Sequence, residues 1–209
     1  MSLLQHLPLQ FAGELHEVRL INFSVEPEEV LPQLHKSFSP LKHKGRALIS
    51  MVDVQLKNMR LPGWFEQFKF NYRHIGFRLL IDDSRFTWTK PRGIYFLRSF
   101  TDQTVWAHLG NLFTIYQLEP ALINEEQGRF TLTKGKEQLS YALSDSPPHS
   151  SAPADLQEEV ARLDRAYSRQ LGQVNYVQIQ RERWPLQWAN CTHFVTSFLQ
   201  PPDLKGLFG

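Results

Sequence analysis

Two basic side chains with the spacing to share a site stand in FNYRHIGFRLLI, residues 70–81. Ile75, Phe77, Leu79 and Ile81 make one apolar parity of a strand, and Tyr72, His74, Gly76, Arg78 and Leu80 make the other. His74 and Arg78 therefore point the same way. An arginine lining an enclosed face can grip a carboxylate in forked geometry, whereas on an outward face it is only a solvated charge. The pattern leaves both readings open for Arg78, whereas His74 reads more readily as an internally hydrogen-bonded or exposed ring than as a site residue. Asp53 follows an apolar run, where burial would make it an acid or base. The alternative is that the strand reaches solvent there, as Gln55 and Lys57 suggest. Arg98 and His108 lie at the end of one strand and inside the next helix, positions that also suit a solvent side.

Other chemistries have weaker support. Cys191 and His193 are two positions apart, so a strand would put thiol and imidazole on one side. A lone cysteine is more often a small apolar residue. The eight histidines are scattered without HExxH or CxxC spacing, so no metal or other cofactor is expected. No glycine-rich run precedes a helix as in a phosphate loop. A formal net charge of +2, spread along 209 residues, gives no concentrated basic face for nucleic acid. The single cysteine suits a reducing compartment. No apolar run approaches the roughly 20 residues that span a bilayer, and the first residues lack a secretory leader pattern. The expectation is a soluble cytoplasmic protein without membrane or nucleic-acid partners, its oligomeric state left open.

These residues need elements to hold them. A strand is expected over residues 18–25, after a lead-in or short helix over 1–15. A short helix follows from Glu26 to Leu31, with Pro27 and the acidic residues in its first turn. Residues 45–58 read as a long strand, with Leu48, Val52, Val54 and Leu56 on one parity and Ala47, Ile49 and Met51 on the other. Asp82, Asp83 and Ser84 turn the chain, and residues 85–89 return as a strand. Residues 93–123 begin with a buried strand, Ile94 to Leu97. They continue into a helix capped by Thr101 or Asp102, with Val105, Leu109, Leu112, Phe113 and Tyr116 along its apolar side. Residues 129–133 and 138–143 flank Lys134-Gly135-Lys136 as a hairpin. A loop spans 144–153. Residues 153–171 have a helical stripe of Leu156, Val160, Leu163, Tyr167 and Leu171. Strands at 174–180 and 191–199 and a tail over 200–209 complete one domain over 1–209.

Taken in order, NFSVEPEEVLPQL, KGRALISMVDVQLKNMR, GFRLLI, RGIYFLRSF, the segment with Arg165-Ala166-Tyr167 and the closing WPLQWA resemble the YqjF-like bacterial family, a domain of unknown function. That family is grouped with the acetoacetate decarboxylase-like fold. The resemblance implies an α+β, mostly β domain, a twisted β-barrel or double-sheet cone with a few flanking helices and a central pocket. It does not carry the activity. Acetoacetate decarboxylase uses a lysine pair just after the helix corresponding to residues 104–116, and this chain reads Ile115-Tyr116-Gln117-Leu118-Glu119-Pro120-Ala121 there. Lys90, in a turn, is a poor substitute.

The expectation is a small-molecule pocket lined from residues 47–53, 74–80 and 95–98 and roofed by 112–119. Arg78 and Arg98 would meet an anionic or carbonyl ligand, and Tyr95, Tyr116 and Trp184 would wall it. A lysine-independent lyase or isomerase acting on an oxo acid would use Asp53, His74 or Glu119. A structural or partner-binding role would use Trp64, Phe65 and Phe68.

Overall fold

The computed structural model describes residues 11–60, 67–91, 93–113, 116–144, 160, 162–170, 173–180, 187, 189–199 and 205–207. Its strands are β1 (Ala12–Val25), β2 (Ser39–Pro40), β3 (Lys42–His43), β4 (Arg46–Arg60), β5 (Phe70–Asp82), β6 (Gly93–Thr101), β7 (Leu118–Pro120), β8 (Leu122–Glu126), β9 (Arg129–Lys134), β10 (Glu137–Ser144), β11 (Arg165–Gln170), β12 (Gln173–Gln178), β13 (Asn190–Thr196) and β14 (Lys205–Leu207). The helices are short: α1 (Pro27–Val30), α2 (Ser84–Thr87) and α3 (Thr104–Phe113). Among the described residues no helix is long and apolar enough to cross a membrane.

A ten-stranded sheet has the order β12-β11-β6-β5-β4-β1-β14, with β2, β3 and β7 attached to β5, β4 and β6; a four-stranded sheet has the order β13-β10-β9-β8. The two sheets do not close into a barrel, which corrects the barrel half of the sequence expectation. The physical reason lies in the core. Ile49, Met51, Ile75, Phe77 and Leu79 of the large sheet pack against Phe130, Leu132, Leu139 and Tyr141 of the small one. Laying one sheet on the other buries this face without joining their edges.

The other face of the large sheet is also covered. Leu48, Leu80, Ile94 and Phe96 form one apolar cluster with Val160, Leu163 and Ala166. Val52, Val54, Leu56 and Tyr72 form another with Ala107 and Leu118, and Trp106 packs against it. Both parities of β4 are thus buried, as its apolar residues on each side imply.

Several elements depart from the sequence pattern. The first strand begins at Ala12 instead of residue 18, so the expected lead-in is partly strand. Residues 85–89 do not return as a strand. Asp82 Oδ1 accepts the Ser84 N–H at 3.0 Å, Trp88 closes the turn left-handed at φ 56°, and α2 forms between them. In α3, Thr101 Oγ1 takes the Gln103 N–H while Asp102 turns away to the Arg73 N–H. Val105 is exposed, and Trp106 and Ala107 face inward instead.

The largest departure is the helix expected over residues 153–171. Its described part contains Val160 and then a strand, Arg165–Gln170, which pairs parallel with β6 and antiparallel with β12. Residues 153–159, 161 and 171 lie outside the described residues. Arg165 and Tyr167, two apart, both reach buried Asp83: Arg165 Nε lies 2.6 Å from Oδ2, and the Tyr167 hydroxyl donates to it at 3.0 Å. That parity belongs to a strand. The intervening Ala166 is buried on the opposite face, so no polar alternation marked it in the sequence. The expected last strand is followed by β14, within the predicted tail.

Candidate functional site

Register decides which candidates meet. In the central sheet Ser50 pairs with Arg78 and Arg78 with Phe96, while Val52 pairs with Gly76 and Gly76 with Ser99. Directly opposed residues share a face. Ser50, His74, Gly76, Arg78 and Ser99 therefore form a polar, small-residue strip on the face that carries α3, running between the two apolar clusters. The Arg78 Nη2 donates to the Ser50 Oγ at 3.1 Å. Phe96 and Tyr116 stand edge to face at 5.0 Å and 85°, and the His74 ring lies 5.9 Å from Phe96 and 5.5 Å from Tyr116. Tyr116 is set in place through α3. The Asn111 side chain accepts the Leu118 N–H at 2.6 Å and donates to the Leu118 carbonyl at 2.9 Å, clamping the segment just after it.

The electrostatics of the strip follow from burial. His74 is 6% exposed, and burial, helped by the positive charge of Arg78, lowers its pKa to about 3. The ring is neutral at physiological pH. Burial also raises the Tyr116 phenol, with Arg78 pulling the other way. Among the described residues, neither the His74 Nε2 nor the Ser99 Oγ has a hydrogen-bond partner.

The remaining candidates are placed elsewhere. Tyr95 opposes Leu79 and sits in the core between the sheets, 5.9 Å from Phe38. A bulge between Phe77 and Arg78 puts Arg98 opposite Phe77, also on that inner face. Arg98 contacts Glu119 at 3.2 Å and Glu137 at 2.6 Å, lying over the rings of Phe100 and Phe198. Its hydrogen bonds hold the Glu137 carboxyl below the usual range. The fold also brings Lys134 onto the Glu119 carboxylate, a lysine that chain order does not place there. Trp184, Trp64 and Phe65 lie outside the described residues; Phe68 is exposed.

Asp53 is fully buried on the inner face, but it is not isolated. Arg73 grips it from Nε at 2.7 Å and Nη2 at 2.6 Å, the Tyr141 hydroxyl donates to Oδ2, and Arg19 stands 3.8 Å away. Arg19 and Arg73 also lie over the Phe130 ring, on which Tyr141 stacks at 4.7 Å. Burial works against the Arg73 charge, yet the carboxylate outweighs it and moves the guanidinium pKa further up. This cluster ties the two sheets together. A second buried carboxylate, Asp83, anchors β11 through Arg165 and Tyr167 in the same way. Sequence reasoning treated Asp83 as a turn residue; the only sequence signal was the two-residue spacing of Arg165 and Tyr167.

Beside the polar strip, β6 changes partner. Gly93–Tyr95 pair with β11 and Ser99–Thr101 pair with β7, leaving the change at residues 96–98. A narrow polar cleft of about 30 Å³ opens there, bordered by Phe96, Arg98, Tyr116, Gln117, Glu119 and Ser168. Gln117, at φ 49°, donates across it to the Arg169 carbonyl. Among the described residues no cluster of three or more metal-ligating side chains occurs, and Cys191 donates to the His193 carbonyl, not to its ring.

Comparison with solved structures finds distant likenesses. The enduracididine biosynthesis enzyme MppR, complexed with the condensation product of pyruvate and imidazole 4-carboxaldehyde, is 15% identical with a TM-score of 0.42, covering 70% of this chain and 62% of that one. Acetoacetate decarboxylase from Legionella pneumophila is 13% identical with a TM-score of 0.47, covering 77% and 58%. An acetoacetate decarboxylase-like enzyme from Sphingomonas wittichii RW1 is 8% identical with a TM-score of 0.46, covering 75% and 62%. The matched region is therefore about three fifths of each of those chains. No curated protein matches. The family of uncharacterized conserved proteins designated DUF2071 matches over residues 13–206, nearly the whole chain, and with the ordered motifs noted above the protein belongs to that YqjF-like family.

Proposed function

We propose that this protein binds a small anionic or carbonyl-containing molecule on the α3-bearing face of its large sheet, without Schiff-base decarboxylation. The observation that carries this reading is the polar strip of Ser50, His74, Gly76, Arg78 and Ser99 lying between two apolar clusters. Sites for small molecules have this composition: mostly apolar walls with a few convergent polar groups that fix orientation. Arg78 supplies the positive charge, and Phe96 and Tyr116 supply aromatic walls. Tyr95 and Arg98 serve the inner face instead, and the cleft at residues 96–98 is the path inward.

Binding is favoured over proton transfer for a specific reason. Asp53 and Glu119 are held in ion pairs on the opposite face, and His74 is kept neutral by burial. A lyase or isomerase acting on an oxo acid would need one of them as its base, and the two carboxylates are turned away from the strip into their ion pairs. The test is titration with pyruvate, the smallest oxo acid, followed by calorimetry and by tyrosine and histidine NMR shifts. Saturable binding is expected in the wild type and its loss in Arg78→Ala, with Arg78→Lys retaining part of it. Both variants should keep the wild-type far-UV circular dichroism, since Arg78 is only half-buried. Absence of saturable binding by the wild type, or unchanged affinity in folded Arg78→Ala, overturns the proposal.

A further inference from the structure

The turn after β5 presents a tryptophan that the core does not use. Trp88 is 90% exposed, and Phe86 on the same turn is 50% exposed. Trp88 also takes the left-handed conformation at φ 56°, which a bulky side chain seldom adopts and glycine would take without strain. A single exposed aromatic on a relaxed backbone would need no account. An exposed aromatic at an unfavourable backbone angle does, because such strain persists only where the surroundings enforce it, and it collects at functional positions.

Here the surroundings enforce it. The Trp88 N–H closes on the Ser84 carbonyl at 2.7 Å. The Thr87 hydroxyl donates to the Asp83 carbonyl at 3.2 Å and meets the Thr89 hydroxyl at 3.1 Å. Buried Arg165, while gripping Asp83, also donates to the Thr89 hydroxyl at 2.9 Å and to the Lys90 carbonyl at 3.0 Å. From beneath, Phe38 meets the Phe86 ring edge-on at 5.4 Å and 67°. The turn is pinned at both ends, so a partner meets the indole on a backbone already ordered.

The charge offered around it has one sign. Arg85 lies over the Phe86 ring at 4.7 Å, Arg85 and Lys90 are exposed, and residues 84–91 contain no acid. Lys36, two residues before Phe38, adds an exposed cation on the adjoining segment. The neighbouring carboxylates are engaged: Asp82 by Ser84, Asp83 by Arg165 and Tyr167, and Asp164 lies 3.8 Å from Arg165. From this we infer that the turn at residues 85–90 docks on an anionic lipid surface, with Trp88 and Phe86 entering the headgroup region and Arg85 and Lys90 meeting lipid phosphates. A bilayer is favoured over a protein for two reasons. A projecting ring needs a matching pocket on a protein, whereas the headgroup region yields around it and suits an indole with an apolar body and one N–H. Lysine is depleted at the centres of protein interfaces but is rewarded beside anionic lipid. A second copy docked symmetrically would set these cations against each other. Lying on a bilayer requires no spanning segment, so the contact is compatible with the absence, among the described residues, of a helix able to cross one. It is independent of the binding face around Arg78.

The test is co-sedimentation with vesicles of phosphatidylcholine alone and of equimolar phosphatidylcholine and phosphatidylglycerol, with bromine-labelled acyl chains to quench an inserted indole. Wild type is expected to bind the anionic vesicles, less tightly as salt rises, and to leave the neutral ones unbound. Trp88→Gly should lower that affinity by about tenfold or more and remove the quenching, because the ring is the main apolar contact. Its Tm should be unchanged or raised, since glycine relieves the left-handed backbone. Arg85→Gln and Lys90→Gln should each cost about fivefold. Failure of wild type to bind anionic vesicles, equal binding to both compositions, or unaltered binding by Trp88→Gly overturns the proposal. So does a Trp88-dependent dimer in sedimentation equilibrium, which assigns the turn to a second copy. An indole emission shift with polyglutamate but not with vesicles assigns it to an acidic protein and likewise overturns the lipid reading.

Discussion

Asp53→Asn tests whether the buried carboxylate holds the sheets together or performs chemistry. The substitution keeps the shape of the side chain but removes the charge that Arg73 meets at 2.6 and 2.7 Å. The Arg73 side chain is only 10% exposed, so its guanidinium would remain largely buried beside a neutral amide. Removing one partner of a buried, doubly hydrogen-bonded pair costs roughly 3–5 kcal/mol; the Arg73 charge would keep only the exposed Glu125 carboxylate, 3.3 Å from its Nη1. The Tyr141 hydroxyl also loses its anionic acceptor. For a chain of this size each kcal/mol corresponds to about 2–4 °C in Tm, so a fall of roughly 6–20 °C is expected. Urea unfolding with a common m-value, read by tyrosine and tryptophan fluorescence, gives the free energy independently. Asp53→Leu combined with Arg73→Met should recover much of the loss, since a well-packed apolar pair can replace a buried ion pair. A loss below about 1 kcal/mol, or a double variant no better than Asp53→Asn, refutes the argument that the pair is a structural tie.

Two further outcomes follow from the same geometry. His74 has a folded-state pKa of about 3 against an ordinary value of 6.5, so between those limits the unfolded chain binds a proton that the folded chain does not. Its contribution is fully present above pH 6.5 and is lost as pH falls toward 3, by up to about 1.4 kcal/mol per pH unit; unfolding curves of wild type and His74→Gln from pH 7 to 4 should differ by that slope, and parallel curves would refute it. At Gly93 a Cβ would stand 2.8 Å from the Ile81 Cγ1 and 3.0 Å from the Asp83 carboxylate. Gly93→Ala should therefore cost roughly 1–3 kcal/mol through crowding, and hydrogen exchange should report loosening of β11, which Asp83 anchors.

Some of this organisation is written locally. The two-residue periodicity of residues 46–60 and 70–82 gives both long strands and assigns their faces, so the alignment of His74 with Arg78 is readable without coordinates. The turn at Gly135 between β9 and β10 is equally local, at φ 61°. Gly76 was visible on the His74–Arg78 face, but the neighbours that crowd it there, Val52 and Phe96, come from the strands on either side.

What the chain determined alone are properties set by contacts between near neighbours: strand parity, turn chemistry and the absence of a lysine between residues 115 and 121. Tertiary structure decided the rest, because those outcomes depend on partners far away in sequence. Arg165 and Tyr167 form a strand, against a helical apolar stripe, since Asp83, some eighty positions earlier, accepts both side chains and β6 receives their backbone. Asp53 became a tie between sheets when Tyr141 arrived from the second sheet, 88 residues on. The bulge after Phe77 sent Arg98 to the inner face and left Arg78 on the outer one, dividing two arginines that the sequence had assigned to a single pocket.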